Sequence, residues 1–239
     1  WREAVTARLA VIASWLLVGH LLLFAIFWGL LNIPESSALM LGLSALTVVV
    51  LIAGTAAIHA GAVAAWQHEN GLLRTLLTGI RYAPAFLLAT LLFWAIWFVT
   101  GRLLAWHAGI AGQIDAMVIV RTGSPQTGWL HAIVFWALQF VRWPLGLTVS
   151  LTLLASLMRG GFGVLRDARW LRAALRPTRW LLVTLWLVLL IVLPLQAVDW
   201  RPAGLGVSLE PWFVAAKLGS IAVAAAVGWA LILRTAARG

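Results

Sequence analysis

Apolar positions fall into six long blocks separated by short polar stretches, at residues 9–31, 39–66, 84–106, 129–158, 180–198 and 212–233. Each block has roughly the 20 apolar residues needed to cross a hydrocarbon core as a helix. The pattern predicts an all-α, polytopic integral membrane protein, a single six-helix domain over 1–239 whose loops are too short to hold a soluble domain. The first block is too long and too aromatic for a cleaved signal peptide, whose apolar region runs to about 7–15 residues, and reads as a helix.

Composition agrees with this reading. Hydrophobic residues make up 63% of the chain and charged residues 10%, and the mean hydropathy is +1.01, outside the range of soluble domains. The net charge of +10 does not point to nucleic acid, because a basic binding face needs a water-soluble fold, whereas here the positives stand at the ends of the blocks. One side receives twelve arginines: Arg2, Arg8, Arg74, Arg81, Arg159, Arg166, Arg169, Arg172, Arg176, Arg179, Arg234 and Arg238; the other receives three, Arg102, Arg121 and Arg201. The positive-inside rule then places both termini in the cytoplasm, with a bacterial cytoplasmic (inner) membrane as the expected location. Tryptophans near block ends, such as Trp28, Trp66, Trp106, Trp180, Trp200 and Trp212, suit the headgroup level. Trp94, Trp97, Trp136, Trp186 and Trp229 lie deeper and read as helix-packing residues.

The loop before block five carries Val164, Ala168, Leu171 and Leu175 at helical spacing beside Arg166, Arg169, Arg172 and Arg176. It predicts an amphipathic helix over 164–176 on the cytoplasmic surface, its arginines meeting anionic lipid headgroups. The segments LLRTLLTGIRY and WLRAALRPTRW align at an offset of 98, pairing Leu73 with Leu171, Arg74 with Arg172, Leu77 with Leu175 and Arg81 with Arg179. That alignment raises a duplicated hairpin, spans two and three against four and five. Small residues recur at every fourth position in span six (Ala216, Ser220, Ala224, Gly228) and span two (Ala53, Ala57, Gly61), where close contact with helices of this chain, a second copy or another subunit is expected.

The permanent charge inside span four is the main anomaly. Arg142 lies on one face with His131, Gln139, Gly146 and Ser150, so the face is expected to meet protein. Pro144 cannot donate to the carbonyl of Phe140, and a kink beside the arginine is expected. Lys217 enters span six about a turn from its outer end. Either the two cations hold helices in register, or Arg142, Lys217 and Gln139 form an outward-opening pocket for an anionic amphiphile.

Reaction motifs are missing. There are no cysteines, no HExxH and no paired acids within a span, and no metal site is expected. His107 and His131 sit at outer ends, while His20 and His59 fall in the inner halves of their spans at offset depths. Bis-histidine ligation of haem, or chlorophyll ligation, remains a minor reading. Three functions are therefore carried forward: a non-catalytic accessory or scaffold subunit of a larger membrane complex, a permease or lipid-handling protein, and a haem- or pigment-binding subunit.

Overall fold

A computed structural model describes residues 2–34, 37–67, 74, 78–123, 128–200 and 209–237. Arg201, Arg238, Leu73 and Leu77 lie outside the described residues. The first three helices are α1 (Arg2–Leu31), α2 (Ala38–Gln67) and α3 (Ala83–Thr122). Span four is α4 (Gly128–Phe140), a π turn (Val141–Leu145) and α5 (Gly146–Gly160). After the short α6 (Arg169–Ala174), span five is α7 (Pro177–Leu187), a second π turn (Val188–Val192) and α8 (Leu193–Gln196). Span six is α9 (Glu210–Ala237). Among the described residues six helices are long and apolar enough to cross a membrane, and the protein is an all-α six-helix membrane protein. An even number of crossings leaves both ends on one side.

Both π turns trace to proline. Pro144 lies inside the first, and the Gly146 N–H reaches back to the Val141 carbonyl, one residue further than in an α-helix. In span five, the Leu193 N–H bonds to the Val188 carbonyl just before Pro194. An extra residue in the turn lets the helix pass the missing N–H without breaking. The kink expected beside Arg142 takes this form.

The core occupies the inner half. Buried positions begin at Ala56 in α2 and at Ala226 in α9, and in α1 the buried hydrophobics are Ile12, Ala13 and Leu16. Gly146 and every residue from Thr148 to Met158 are buried, so α5 is contacted on all sides and forms the axis of the bundle. Its small residues, Gly146, Ser150, Ala155 and Ser156 among them, let the neighbours come close. Three side-chain bonds tie the inner ends together. Trp15 donates to the Ile58 carbonyl (3.1 Å), Trp66 to Ala230 (3.0 Å) and Gln67 to Ala155 (2.9 Å).

Two segments depart from the sequence reading. α3 does not end at Trp106 but continues to Thr122, because residues 107–122 contain no proline and the chain turns only at Gly123, left-handed at φ 67°, whose N–H caps the Ile119 carbonyl. At 40 residues it is about 60 Å long, twice a bilayer's hydrocarbon thickness of about 30 Å. The expected helix over 164–176 is broken in two. A 3-10 segment (Gly161–Arg166) is followed by extended Asp167, whose carboxylate accepts the Arg169 N–H at 2.9 Å and starts α6 afresh. Ala174 is fully buried and Trp170 packs on the core, while Leu171 and Leu175 stay exposed. The loop folds back along α5, and Trp180 at the start of α7 meets Phe140 edge-on at 5.1 Å.

The proposed repeat has unlike local structures where it is described. Arg81 is exposed within a 3-10 turn (Thr78–Tyr82), whereas Arg179 is buried in α7. That 3-10 turn presses on α2. A Cβ on Gly79 would stand 2.2 Å from the Ala57 carbonyl oxygen and 2.7 Å from the Gly61 nitrogen, both backbone atoms that have nowhere to go. Gly79→Ala is accordingly expected to cost about 1–3 kcal/mol of stability, while Gly219→Ala, facing open space, stays within about 0.5 kcal/mol. Thermal melts of the two variants in one detergent check this; equal midpoints would contradict the close approach.

Candidate functional site: a histidine pair in an intramembrane cavity

A cavity of about 650 Å³ opens between α1, α2, span five and α9. Its walls are apolar, with Leu17, Phe24, Ile191, Ala222 and Ala225 among them, and its two imidazoles are His20 and His59. Ile191 belongs to the span-five π turn, which also brings Leu190 against Gly228; a Cβ there would lie 2.7 Å from the Leu190 Cβ. The π turn and the glycine together set the spacing of the cavity's far wall. Leu21 and Phe24 at the rim are 58% and 61% exposed, so the mouth faces the hydrocarbon along span one.

The histidines expected at offset depths meet directly. Their ring centroids are 5.1 Å apart with the planes nearly perpendicular, because α1 and α2 run antiparallel in a register that sets Gly19 against Ile58. Phe86 stacks on the His59 ring at 5.3 Å and Trp229 meets it edge-on at 5.8 Å, so His59 is held on several sides. Each ring is oriented by its own helix. His20 Nδ1 bonds the Leu16 carbonyl (2.6 Å) and His59 Nδ1 the Thr55 carbonyl (2.9 Å). A carbonyl can only accept, so each Nδ1 carries the proton and each neutral ring has its lone pair on Nε2.

Haem does not fit between these rings. Two axial imidazoles on opposite faces of a macrocycle, with metal–nitrogen bonds of about 2.0–2.1 Å, put their ring centroids about 6 Å apart. His107 and His131 also come together, but their rings are stacked at 5.0 Å and 12°, leaving no slot for a macrocycle. Among the described residues no group of three or more His, Cys, Asp or Glu could hold a metal ion.

Arg142 and Lys217 are placed apart and occupied differently. The Arg142 guanidinium lies 3.7 Å over the Trp97 ring, a cation–π contact that lets a charge inside the membrane face protein. Lys217 Nζ donates to the Val198 carbonyl (2.5 Å) and the Trp200 carbonyl (3.0 Å), capping the negative end of span five. Neither lines the histidine cavity. Gln139 Oε1 and Arg142 Nε are buried without a hydrogen bond, as are His107 Nε2, His131 Nδ1, Ser150 Oγ and Thr152 Oγ1. These atoms follow span four and its contact with α3, confirming the polar stripe as a protein-facing seam.

On the inner side, Arg166, Arg169, Arg172 and Arg176 are all exposed, interleaved with exposed Phe162, Leu165, Leu171 and Leu175. A second cavity of about 500 Å³ lies beside them, lined by Ser156, Arg159, Asp167, Arg169 and Trp170 among others. Asp167 is paired with Arg169 at 3.3 Å. Arg179 is buried, and the charges of Arg176 and Arg159 repel it.

Comparison with protein-family models, with curated proteins and with solved structures found no match. Functional argument therefore starts from the chemistry of this chain alone. For Lys217 that chemistry is structural: Lys217→Met removes two charge-assisted bonds and is expected to cost about 1–2 kcal/mol of stability without changing occupancy of the histidine cavity. A melt and native mass spectrometry on the same sample separate the two effects, and an unshifted midpoint would remove the capping role.

Proposed function

We propose that this is a non-catalytic, lipid-handling protein of a bacterial cytoplasmic membrane, which holds an amphiphile in the cavity between α1, α2, span five and α9. The observation that carries the reading is the pairing of His20 and His59 at the wall of an otherwise apolar cavity open to hydrocarbon. An imidazole in a lipid-facing cavity is unfavourable unless a polar group meets it, and an amphiphile brings one together with a tail for the apolar walls. The reading moves the ligand from the outward pocket of Arg142, Lys217 and Gln139, whose cations are engaged elsewhere. Placement in the cytoplasmic membrane rests on the arginine asymmetry.

A second reading, an accessory subunit of a larger membrane complex, draws on the outer half. Gly29, Gly42, Gly109, Gly112 and Gly219 have no neighbour within 4 Å of a Cβ position, and such small residues are what partner helices pack against in lipid. Native mass spectrometry after gentle extraction addresses both. The cavity reading expects a bound mass of amphiphile size that Ala225→Phe, filling the cavity, removes; no adduct in the parent protein defeats it. A co-purifying membrane protein would support the second reading.

The inner arginines are proposed to hold anionic lipid. At about 1 kcal/mol per basic residue near a charged surface, replacing Arg166, Arg169, Arg172 and Arg176 together by Gln is expected to cut retention of phosphatidylglycerol over phosphatidylcholine at least about tenfold. Equal retention by parent and variant in mixed-lipid nanodiscs would rule this out.

A further inference from the structure

We infer that the histidine cavity selects amphiphiles whose head donates hydrogen bonds, such as a quinol, a phenol or a long-chain alcohol, over those whose head only accepts, such as a quinone. The inference rests on the cavity reading above and adds the chemical class of the ligand. It follows from the two backbone bonds. Because the Leu16 and Thr55 carbonyls hold the protons of His20 and His59 on Nδ1, a neutral ring can offer only the Nε2 lone pair.

Neither imidazole makes another hydrogen bond among the described residues, and both line the cavity. The rings stand 5.1 Å apart, close enough for one headgroup to address both. Phe86 covers a face of His59, so that imidazole is approached along its edge, where the lone pair lies. A hydroxyl entering from lipid carries a donor that has no partner in hydrocarbon and finds one here. A carbonyl brings its own lone pairs against those of Nε2, and both acceptors stay unsatisfied.

The rest of the wall takes the tail. Leu16, Leu17, Leu21, Phe24, Ile191 and Ala226 offer no hydrogen-bonding side chain, and the exposed rim at Leu21 and Phe24 lets a chain longer than the cavity trail into the bilayer. A ligand of this kind needs no aqueous path. It enters sideways from the hydrocarbon and leaves the same way.

The test uses the full chain in nanodiscs, with native mass spectrometry of the released protein reading the fraction that carries each probe. The probes are a decyl-substituted benzoquinol, the matching benzoquinone, dodecanol and dodecane. The quinol is expected to bind saturably and at least about tenfold tighter than the quinone, an acceptor facing an acceptor being left unpaired in the second case. Dodecanol binding with dodecane silent identifies the hydroxyl as the recognised group; quinol binding without dodecanol narrows the class to aromatic hydroxyls. His20→Phe sits at the exposed side of the pair and is expected to bring quinol affinity down to that of the quinone while leaving the quinone unchanged. Equal affinity for quinol and quinone, or an equal loss of both in His20→Phe, overturns the selectivity and leaves the cavity reading standing. Failure of all four probes to bind removes the cavity reading itself.

Discussion

Between helices immersed in hydrocarbon, an apolar side chain gains almost nothing by exchanging lipid for protein, so association depends on how closely backbones approach and on the polar groups that bridge them. In this protein both resources are concentrated in the inner half. The Gly79 turn lies against the backbone of Ala57 and Gly61, Gly228 receives Leu190, and α5 threads its small residues through the centre. The indoles of Trp15 and Trp66 add bonds to carbonyls on neighbouring helices. Toward the outer side these devices thin out to a few, such as Gly54 against Leu23, the His107–His131 stack and the Lys217 bonds to the end of span five. The histidine cavity lies at the boundary between the two regimes, just above the packed residues Ile12 and Leu16 and beside Ala226.

Proline shapes that boundary. Without Pro194, span five would have no reason to take an extra residue at Val188–Val192, and Ile191 and Leu190 would present different faces to α9. Pro144 acts likewise in span four, where the π turn holds Arg142 and the Pro144 carbonyl accepts the Thr148 hydroxyl at 2.6 Å. π turns recur at functional positions because they rotate the side chains that follow them. Here one sets the cavity wall and the other turns a charge onto an indole.

The six crossings were legible because hydrocarbon imposes a length and a composition on any segment that spans it, and the polar face of span four was legible because a helix repeats every 3.6 residues. Arg142 against protein follows from the same logic. The meeting of His20 and His59 was not legible, since it depends on the register between two antiparallel helices, and neither helix states its partner's register in its own periodicity. The length of α3 escaped because hydropathy falls at His107 and Gln113, although nothing there breaks a helix. The break in the 164–176 segment escaped because helical spacing of its apolar residues carries no sign of the extended aspartate that restarts the helix.

These two kinds of information also divide the cations. Arg142 and Lys217 looked like a pair in sequence, as the two basic residues placed inside spans, four and six. In three dimensions each has found what a cation within a span needs close to home, an aromatic face for one and two terminal carbonyls for the other. A charge so satisfied has little left with which to hold a ligand, because any new partner must first displace the old one. The histidines are in the opposite position. Their Nδ1 atoms are satisfied and fixed, and this leaves the Nε2 atoms free in a cavity that lipid can reach. Structural bonding on one side of each ring is what makes the other side available for recognition.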